Sequence, residues 1–271
     1  MPPPSLSVQP HALTVFGITG RMGQTLIRAL REGSPFQLRG AIASASSPRL
    51  GLDAAADGQP TGVVITADPA AALQQASVAL DFSVGGAIAL HAQACANASV
   101  PLLVGATGFD APAKAELARA AKSIAVLIAP NTSVGVAVLN ELTAAAAQAL
   151  GGAYEVDISE AHHRHKRDAP SGTALNLGET IAKSRAVTLD EVAVFERHGG
   201  PRRPGTIGFS VVREGDIVGE HTVTFTGAGE RLEITHRATE RITFARGALR
   251  AAAWLIGRPS GLYGMKDVLG L

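Results

Sequence analysis

The chain has one cysteine in 271 residues, so it can form no internal disulfide, and a reducing compartment suits it better than a secreted, cross-linked scaffold would. That cysteine, Cys95, falls within an apolar helical stretch, His91 to Val100, and reads as a buried, unreactive thiol. Neither sign of charge dominates: 24 Lys and Arg stand against 23 Asp and Glu, a net charge of +1. No global field therefore marks nucleic acid or a membrane surface as partner, and any basic site must be local. Aromatic residues make up 4%, too few for the stacking platforms of a single-strand binder. The longest apolar runs are interrupted by Asn, Gln, Lys or Gly before the ~20 residues that a spanning helix needs. The opening MPPPSLSVQP lacks the charged start and long apolar run of a signal peptide and reads as a loose tail. Paired cysteines and an HExxH pattern are both missing, so no metal is expected. These absences predict a soluble, cytoplasmic protein.

What is present is a large apolar fraction, 46%, in a chain whose length favours two domains. Ala12 to Phe16 is a short apolar run that meets GITGRMGQTLIRALREG, a buried strand followed by a glycine turn and a helix closed by Gly33. Leu38 to Ala43 supplies the next strand and completes a βαβ unit. The alternation continues through strands at Val63 to Thr66, Val78 to Phe82, Pro101 to Val104 and Ile124 to Ala129. Helices lie between them at Ala70 to Gln75, Ala87 to Asn97 and Ala111 to Ala121. This pattern predicts an α/β domain of the Rossmann type, a doubly wound parallel sheet. Past Asn131 the style changes. An alanine-rich helix from Gly135 to Ala149 leads to a strand at Tyr154 to Ser159 and a helix from Ser171 to about Lys183. Alternating segments after Pro204, with turns REGD and GAGE, suggest antiparallel hairpins. A second α+β domain on a mixed or antiparallel sheet is expected, and the helix from Phe244 to Ile256 could return to the first domain.

The glycines of GITGRMG fall at Gly17, Gly20 and Gly23. Small residues there let the backbone approach a pyrophosphate, and the following helix offers free N–H groups and a positive dipole end. Arg21 could reach a phosphate. Glycine also serves as plain turn punctuation, but a position after the first strand of a βαβ unit favours a dinucleotide. After the second strand comes AIASASSPR, with Ser44, Ser46, Ser47 and Arg49 and no carboxylate to hold a ribose 2′-hydroxyl; NADPH or NADH is expected, with NADPH use favoured, unless this is a plain solvated serine loop.

EAHHRHKRDAPSGTA, Glu160 to Ala174, sets three histidines, two arginines and a lysine in six consecutive positions before a helix start at Ser171. Zinc, a nucleic-acid patch and a merely solvated loop are weaker readings than a small anionic substrate. Pro170 precedes the cap Ser171, and Gly172 and Thr173 open the helix, so a carboxylate could be bound by their amides, the Thr173 hydroxyl and the Lys166 ammonium. Histidine adds an acid and base near neutrality. His221 and His236 read as structural or surface partners, and Trp254 as core packing.

GRMG, GATGF, APNTSVGV, EAHHRHKRDAPSGTA, RRPGTIGFSVVREGDIVGEH and GLYGMKDVLGL, in that order along the chain, resemble the bacterial dihydrodipicolinate reductase family, now described as 4-hydroxy-tetrahydrodipicolinate reductases of lysine and diaminopimelate synthesis. The resemblance runs from about Leu13 to Leu271. It implies an NAD(P)H-dependent oxidoreductase, a homotetramer, acting on a cyclic dicarboxylate with loss of water from the 4-hydroxy substrate. It implies a dinucleotide domain at 1–131 completed by 241–271, and a substrate and oligomerisation domain at 132–240. His162 and Lys166 match the family's proton-transfer residues, and His163, Ser171, Gly172, Thr173 and Thr107 its substrate contacts. Gly17, Ile18, Thr19, Gly20, Arg21 and Met22, then Ser44 and Ala45, match its cofactor contacts. Gly105, Ala106 and Thr107, then Ala129, Pro130, Asn131, Thr132 and Arg241, complete that set. The chain departs from a frequent family pattern at Ser44 (often acidic), Thr132 (often aromatic) and Ala106 (often Thr). The joins near Asn131 and Arg241 are candidate hinges. An aspartate dehydrogenase or a binding protein that had lost catalysis are the rival readings.

Overall fold

The computed structural model describes residues 9–271; most of the opening stretch read as a loose tail lies outside the described residues. The chain divides into two compact units, one built from the chain up to Thr132 together with Phe244–Leu271, the other from Ser133–Thr243. The first unit runs β1 (His11–Phe16), α1 (Arg21–Leu30), β2 (Phe36–Ile42), β3 (Ile65–Thr66), α2 (Pro69–Leu73), β4 (Val78–Asp81), α3 (Ile88–Asn97), β5 (Leu102–Val104), α4 (Ala111–Ala120) and β6 (Ala125–Ile128). The second holds α5 (Val134–Leu150), β7 (Glu155–His162), α6 (Gly172–Ser184), α7 (Leu189–Val192), β8 (Ala193–Val194), β9 (Ile207–Arg213), β10 (Gly219–Thr226) and β11 (Arg231–Ala238). The chain then returns to the first unit through α8 (Ile242–Leu255), β12 (Gly261–Tyr263) and α9 (Met265–Leu269).

The first sheet is wholly parallel, in the order β12-β6-β5-β4-β1-β2-β3. Read from β3 to β6 this is the 3-2-1-4-5-6 order of the doubly wound dinucleotide fold, with β12 added beyond β6. Helices cover both faces of such a sheet, so its strands lose alternation and become continuous apolar runs. Leu13, Val15, Phe16, Val78, Ala79, Leu80, Leu102, Leu103 and Val126 are all fully or nearly fully buried, which is why these segments could be read as core strands. Cys95 is buried in the same core, and burial pushes its thiol pKa far up. Trp254 is a correction: it is half-buried rather than core, with the Arg258 guanidinium 4.1 Å over its ring and Tyr263 edge-on at 5.3 Å.

The second sheet has the order β11-β10-β7-β9-β8. β10 pairs antiparallel with β11 and β7, whereas β9 lies parallel to β7 and β8. The GAGE turn does join a hairpin, β10 to β11. The REGD turn does not, because β7 lies between β9 and β10; the loop instead straps the end of β7, with the Glu214 amide donating to the His162 carbonyl at 2.9 Å. Alternation within a strand shows which side chains face the core but not which strand lies alongside. The inner face carries Val156, Ile158, Ile207, Phe209, Val223 and Phe225 against Leu139 and Ala147 of α5 and Ala174, Leu177 and Ile181 of α6. By length and composition Val134–Ala153 could cross a membrane, yet one face of α5 is built into this core.

One polar pair interrupts the first core. Asp81, fully buried at the end of β4, accepts from the Ser83 amide at 2.9 Å and pairs with His91 Nδ1 of α3 at 2.7 Å; His91 in turn stacks on Phe16 at 4.2 Å between centroids. A buried carboxylate stripped of one partner carries a desolvation penalty. We expect His91→Leu to destabilise the chain by about 2 kcal/mol in thermal or urea melts, and an unchanged midpoint would count against the pair.

Candidate active site

Two sets of residues are assembled, one in each unit. In the first, the loops after β1, β4 and β5 meet at the carboxyl ends of adjacent strands, where the strand order reverses and dinucleotides bind in this fold. Gly17 has φ +76°, and a Cβ there would lie 2.8 Å from the Phe82 carbonyl group and the Ser83 amide. A Cβ on Gly105 would lie 2.1 Å from the Phe82 ring, and one on Gly23 would lie 2.3 Å from the Ile18 carbonyl oxygen, so all three are glycine for want of room. The Gly17 and Ile18 amides donate to the Ile42 carbonyl and the Gly20 amide to that of Gly17, which fixes the turn. Gly20 caps α1 without a side-chain bond, so the first-turn amides have no side-chain cap. Gln24 ties the turn to the following loop by bonds to the Ile18 and Ala54 carbonyls and from the Ala56 amide.

Around this turn Thr19, Gly20 and Arg21 are exposed and Met22 half-buried, while Ile18 is wholly buried and only its backbone faces the turn. Ser44 and Ala45 are exposed, and the hydroxyls of Ser44 and Ser46 lie 2.9 Å apart. Arg49 donates through one guanidinium nitrogen to the Asp53 and Ala55 carbonyls at 2.8 and 2.7 Å, so that nitrogen is committed to its own loop. Thr107 and Pro130 are exposed, Asn131 is half-buried, and Ala106 and Ala129 are buried. Thr132 is buried, with its hydroxyl donating to the Phe244 carbonyl at 2.7 Å; it ties the return segment to the first, so its hydroxyl is engaged within the fold. Arg241 is half-buried immediately before α8.

The second set lies on the inner face of the second sheet. Along β7 the inward positions read Val156, Ile158, Glu160, His162, so the face turns from apolar to polar at its end. β7 extends to His162, three residues beyond the expected strand, and this places Glu160 and His162 on one face as i and i+2 neighbours. Glu160, its side chain fully buried, receives His162 Nδ1 at 2.6 Å, the Ser171 amide at 2.9 Å and the Arg213 guanidinium at 2.7 and 2.8 Å. Burial by itself raises its pKa, but the bonds from His162, Arg213 and Ser171 outweigh that and hold it at about 2. His221, opposite Glu160 on β10, sets its Nε2 3.0 Å from the Ser171 hydroxyl and its ring edge-on to His162 at 5.1 Å. Burial, then the nearby His162, push its pKa down to about 3. A Cβ on Gly219 would lie 3.1 Å from His162 Nε2, so glycine makes room for the imidazole.

Beyond the strand, His163 is half-buried and Lys166 places Nζ 2.9 Å from the Asp168 carboxylate. Burial raises the Asp168 pKa, but Lys166 and then the Gly172 amide at the start of α6 bring it below the usual value. Lys166 and the helix start thus already gather on one carboxylate, the chain's own, as the sequence expected for a ligand. Thr173 is half-buried in that first turn. Ser171 caps α6 as the sequence expected: its hydroxyl accepts from the Ala174 amide and meets His221, and its amide serves Glu160. Glu160 and Arg213 were not singled out from the sequence, whereas His221 was read as a structural or surface partner; the spacing of Glu160 and His162 carried a signal, while Arg213 and His221 arrive by cross-strand register.

Residues 11–132 match the family model described as dihydrodipicolinate reductase, N-terminus, and 135–269 the one described as dihydrodipicolinate reductase, C-terminus. The chain belongs to the dihydrodipicolinate reductase family. A 4-hydroxy-tetrahydrodipicolinate reductase of Anaeromyxobacter dehalogenans is 51% identical over 263 residues, 96% of this chain and 97% of its own. One of Bordetella pertussis is 51% identical over 265 residues, 97% of this chain and 98% of its own. Among solved structures, the dipicolinate-bound dihydrodipicolinate reductase of Paenisporosarcina sp. TG-14 has the same fold, with TM-score 0.74 at 20% identity over 95% of this chain and 99% of that one. An amine dehydrogenase of Mycobacterium smegmatis shares the fold at TM-score 0.57 and 15% identity, over 94% and 95%.

His221 and Glu160 make the second unit acid-sensitive, in windows that begin apart and overlap at lower pH. His221 goes from 6.5 to about 3 on folding, so the stability it lends is complete above 6.5 and drains away as pH falls toward 3. Glu160 goes from 4.5 to about 2, so its share is complete above 4.5 and is lost between there and 2. Melting midpoints against pH should fall in both windows, and His221→Gln should flatten the curve between 6.5 and 4.5; an unaltered slope in that variant would contradict the assignment.

Proposed function

We propose that this chain reduces 4-hydroxy-tetrahydrodipicolinate to tetrahydrodipicolinate, with loss of water, using NAD(P)H in diaminopimelate and lysine synthesis. The observation that carries the reading is the meeting of a lysine ammonium, a carboxylate-held histidine and the start of α6 at the polar end of one sheet face. The family, and the names of relatives about half identical over nearly the whole chain, support it. A dicarboxylate suits the site because Lys166 and the Gly172 amide already hold a carboxylate there. The Paenisporosarcina reductase has dipicolinate bound, a molecule of the same class.

In this reading the loops of Gly17 to Met22, Ser44 and Ala45, Gly105 to Thr107 and Ala129 to Asn131, with Arg241, hold the dinucleotide. The crowded glycines and the cap-free start of α1 fit a pyrophosphate. When bound, the reduced nicotinamide supplies a hydride. Lys166, Gly172 and Thr173 bind and orient the substrate carboxylates, with His163 and Thr107 as further substrate contacts; Ser171 supports the start of α6 as its cap. His162 and Lys166 move the protons. NADPH is accepted beside NADH, because the exposed hydroxyls of Ser44 and Ser46 stand where a carboxylate would repel a 2′-phosphate. We place the protein in the cytoplasm, consistent with a single buried cysteine. We further place it in a homotetramer, supported by the uncharged, exposed Ser159, Ser210 and Val212 on the outer face of the second sheet. Light scattering tests the assembly, and a monomer would refute it.

The deciding assay mixes the protein, NADPH or NADH, and the condensation product of pyruvate with aspartate semialdehyde, and follows loss of absorbance of the reduced cofactor. His162→Gln and Lys166→Ala should each lower kcat by about 10² to 10⁴ while dinucleotide binding persists; full turnover in both would remove the role. Gly17→Ala should do the reverse, weakening dinucleotide binding at least about tenfold while the dicarboxylate still binds in calorimetry.

A further inference from the structure

We infer that Glu160, clamped by Arg213, is a positioning residue that fixes which nitrogen of His162 handles the proton. The inference rests on the proposed role of His162. An ionised carboxylate only accepts hydrogen bonds, and it offers about four sites. Here they are taken by His162 Nδ1, the two Arg213 nitrogens and the Ser171 amide. His162 Nδ1 must therefore be the donor, which leaves Nε2 as the nitrogen that exchanges a proton with a substrate.

The clamp reaches further than the ring. Arg213 also donates to the Asp168 carbonyl at 2.6 Å and to its neighbour Val212 at 2.7 Å. One guanidinium thereby joins the end of β9, the carboxylate on β7 and the loop that carries Lys166, so both proton-handling residues are set from one point. Stability alone does not account for it. Replacing such a buried ion pair with well-packed apolar residues is often neutral or stabilising, and the neighbouring inward positions are Val156, Ile158, Phe209 and Val223.

The groups around the His162 ring are Glu160 on its own strand, Arg213 on β9, His221 on β10, Lys166 and Asp168 in the following loop and Ser171 at the start of α6; His236 lies one strand further, opposite His221. Of these, Glu160 is the one bonded to the imidazole, at Nδ1.

Glu160→Gln is the test, with Arg213→Lys beside it. Proton and nitrogen NMR of the wild-type histidines should show His162 as the Nδ1–H form with a far-downfield Nδ1 proton, and Glu160→Gln should lose that signal. In the variant kcat should fall about 10- to 100-fold with KM for the dicarboxylate changed less than about threefold. Arg213→Lys keeps the charge but loses the fork, and should weaken the downfield Nδ1 signal and lower kcat by less; it also serves if Glu160→Gln fails to fold. A purely structural role would lower the melting temperature and leave the Nδ1 proton signal and kcat in place, which would overturn the inference. So would a retained downfield proton in Glu160→Gln, or a wild-type His162 carrying its proton on Nε2. If His162→Gln keeps full activity, the proton-donor reading fails instead, and the NMR result still decides whether Glu160 sets the tautomer.

Discussion

The second unit depends on one buried carboxylate. Glu160 draws together a histidine from its own strand, an arginine from β9 and the first turn of α6, elements that come from separate stretches of the chain. A charge in that position is tolerable only because every lone-pair site is met by a donor. The consequence is rigidity where the chemistry is proposed to occur: the imidazole, the cap of α6 and the loop of Lys166 are all bonded to, or through, the same small group.

The first unit solves a different problem. A dinucleotide needs backbone atoms close to it, and close approach means removing side chains. Gly17, Gly23 and Gly105 are each hemmed in by backbone or an aromatic ring, so any side chain there would push apart the loops that form the cradle. Asp81 and His91 secure the same region from beneath, holding the end of β4 to α3 just before Phe82 and Ser83. Rigid support below and bare backbone above are two parts of one arrangement.

Much of this is legible in the sequence. The βαβ periodicity announces the parallel sheet, because strands buried on both faces become apolar runs that helices must separate. The glycine turn and the HHRHKR cluster mark the two sites because their residue types are costly or useless elsewhere. What escapes a reading of the sequence is lateral. Its periodicity ends β7 at Ser159, which leaves Glu160 and His162 in a loop with no shared face. Its REGD turn suggests a hairpin, although β7 lies between the two strands concerned. Thr132 and Ser171 fit ligand-facing positions by motif, yet their hydroxyls are used inside the fold.

The sequence by itself determined the order of elements, the two-part organisation, the positions of the crowded glycines and the composition of the cationic loop, since these follow from local periodicity and local sterics. Tertiary structure alone decided the neighbours of β7, and with them the meeting of Glu160, Arg213 and His221. Strand register is a relation between distant segments; a side chain 53 residues away, such as Arg213 from Glu160, leaves no local trace in the chain that it comes to serve.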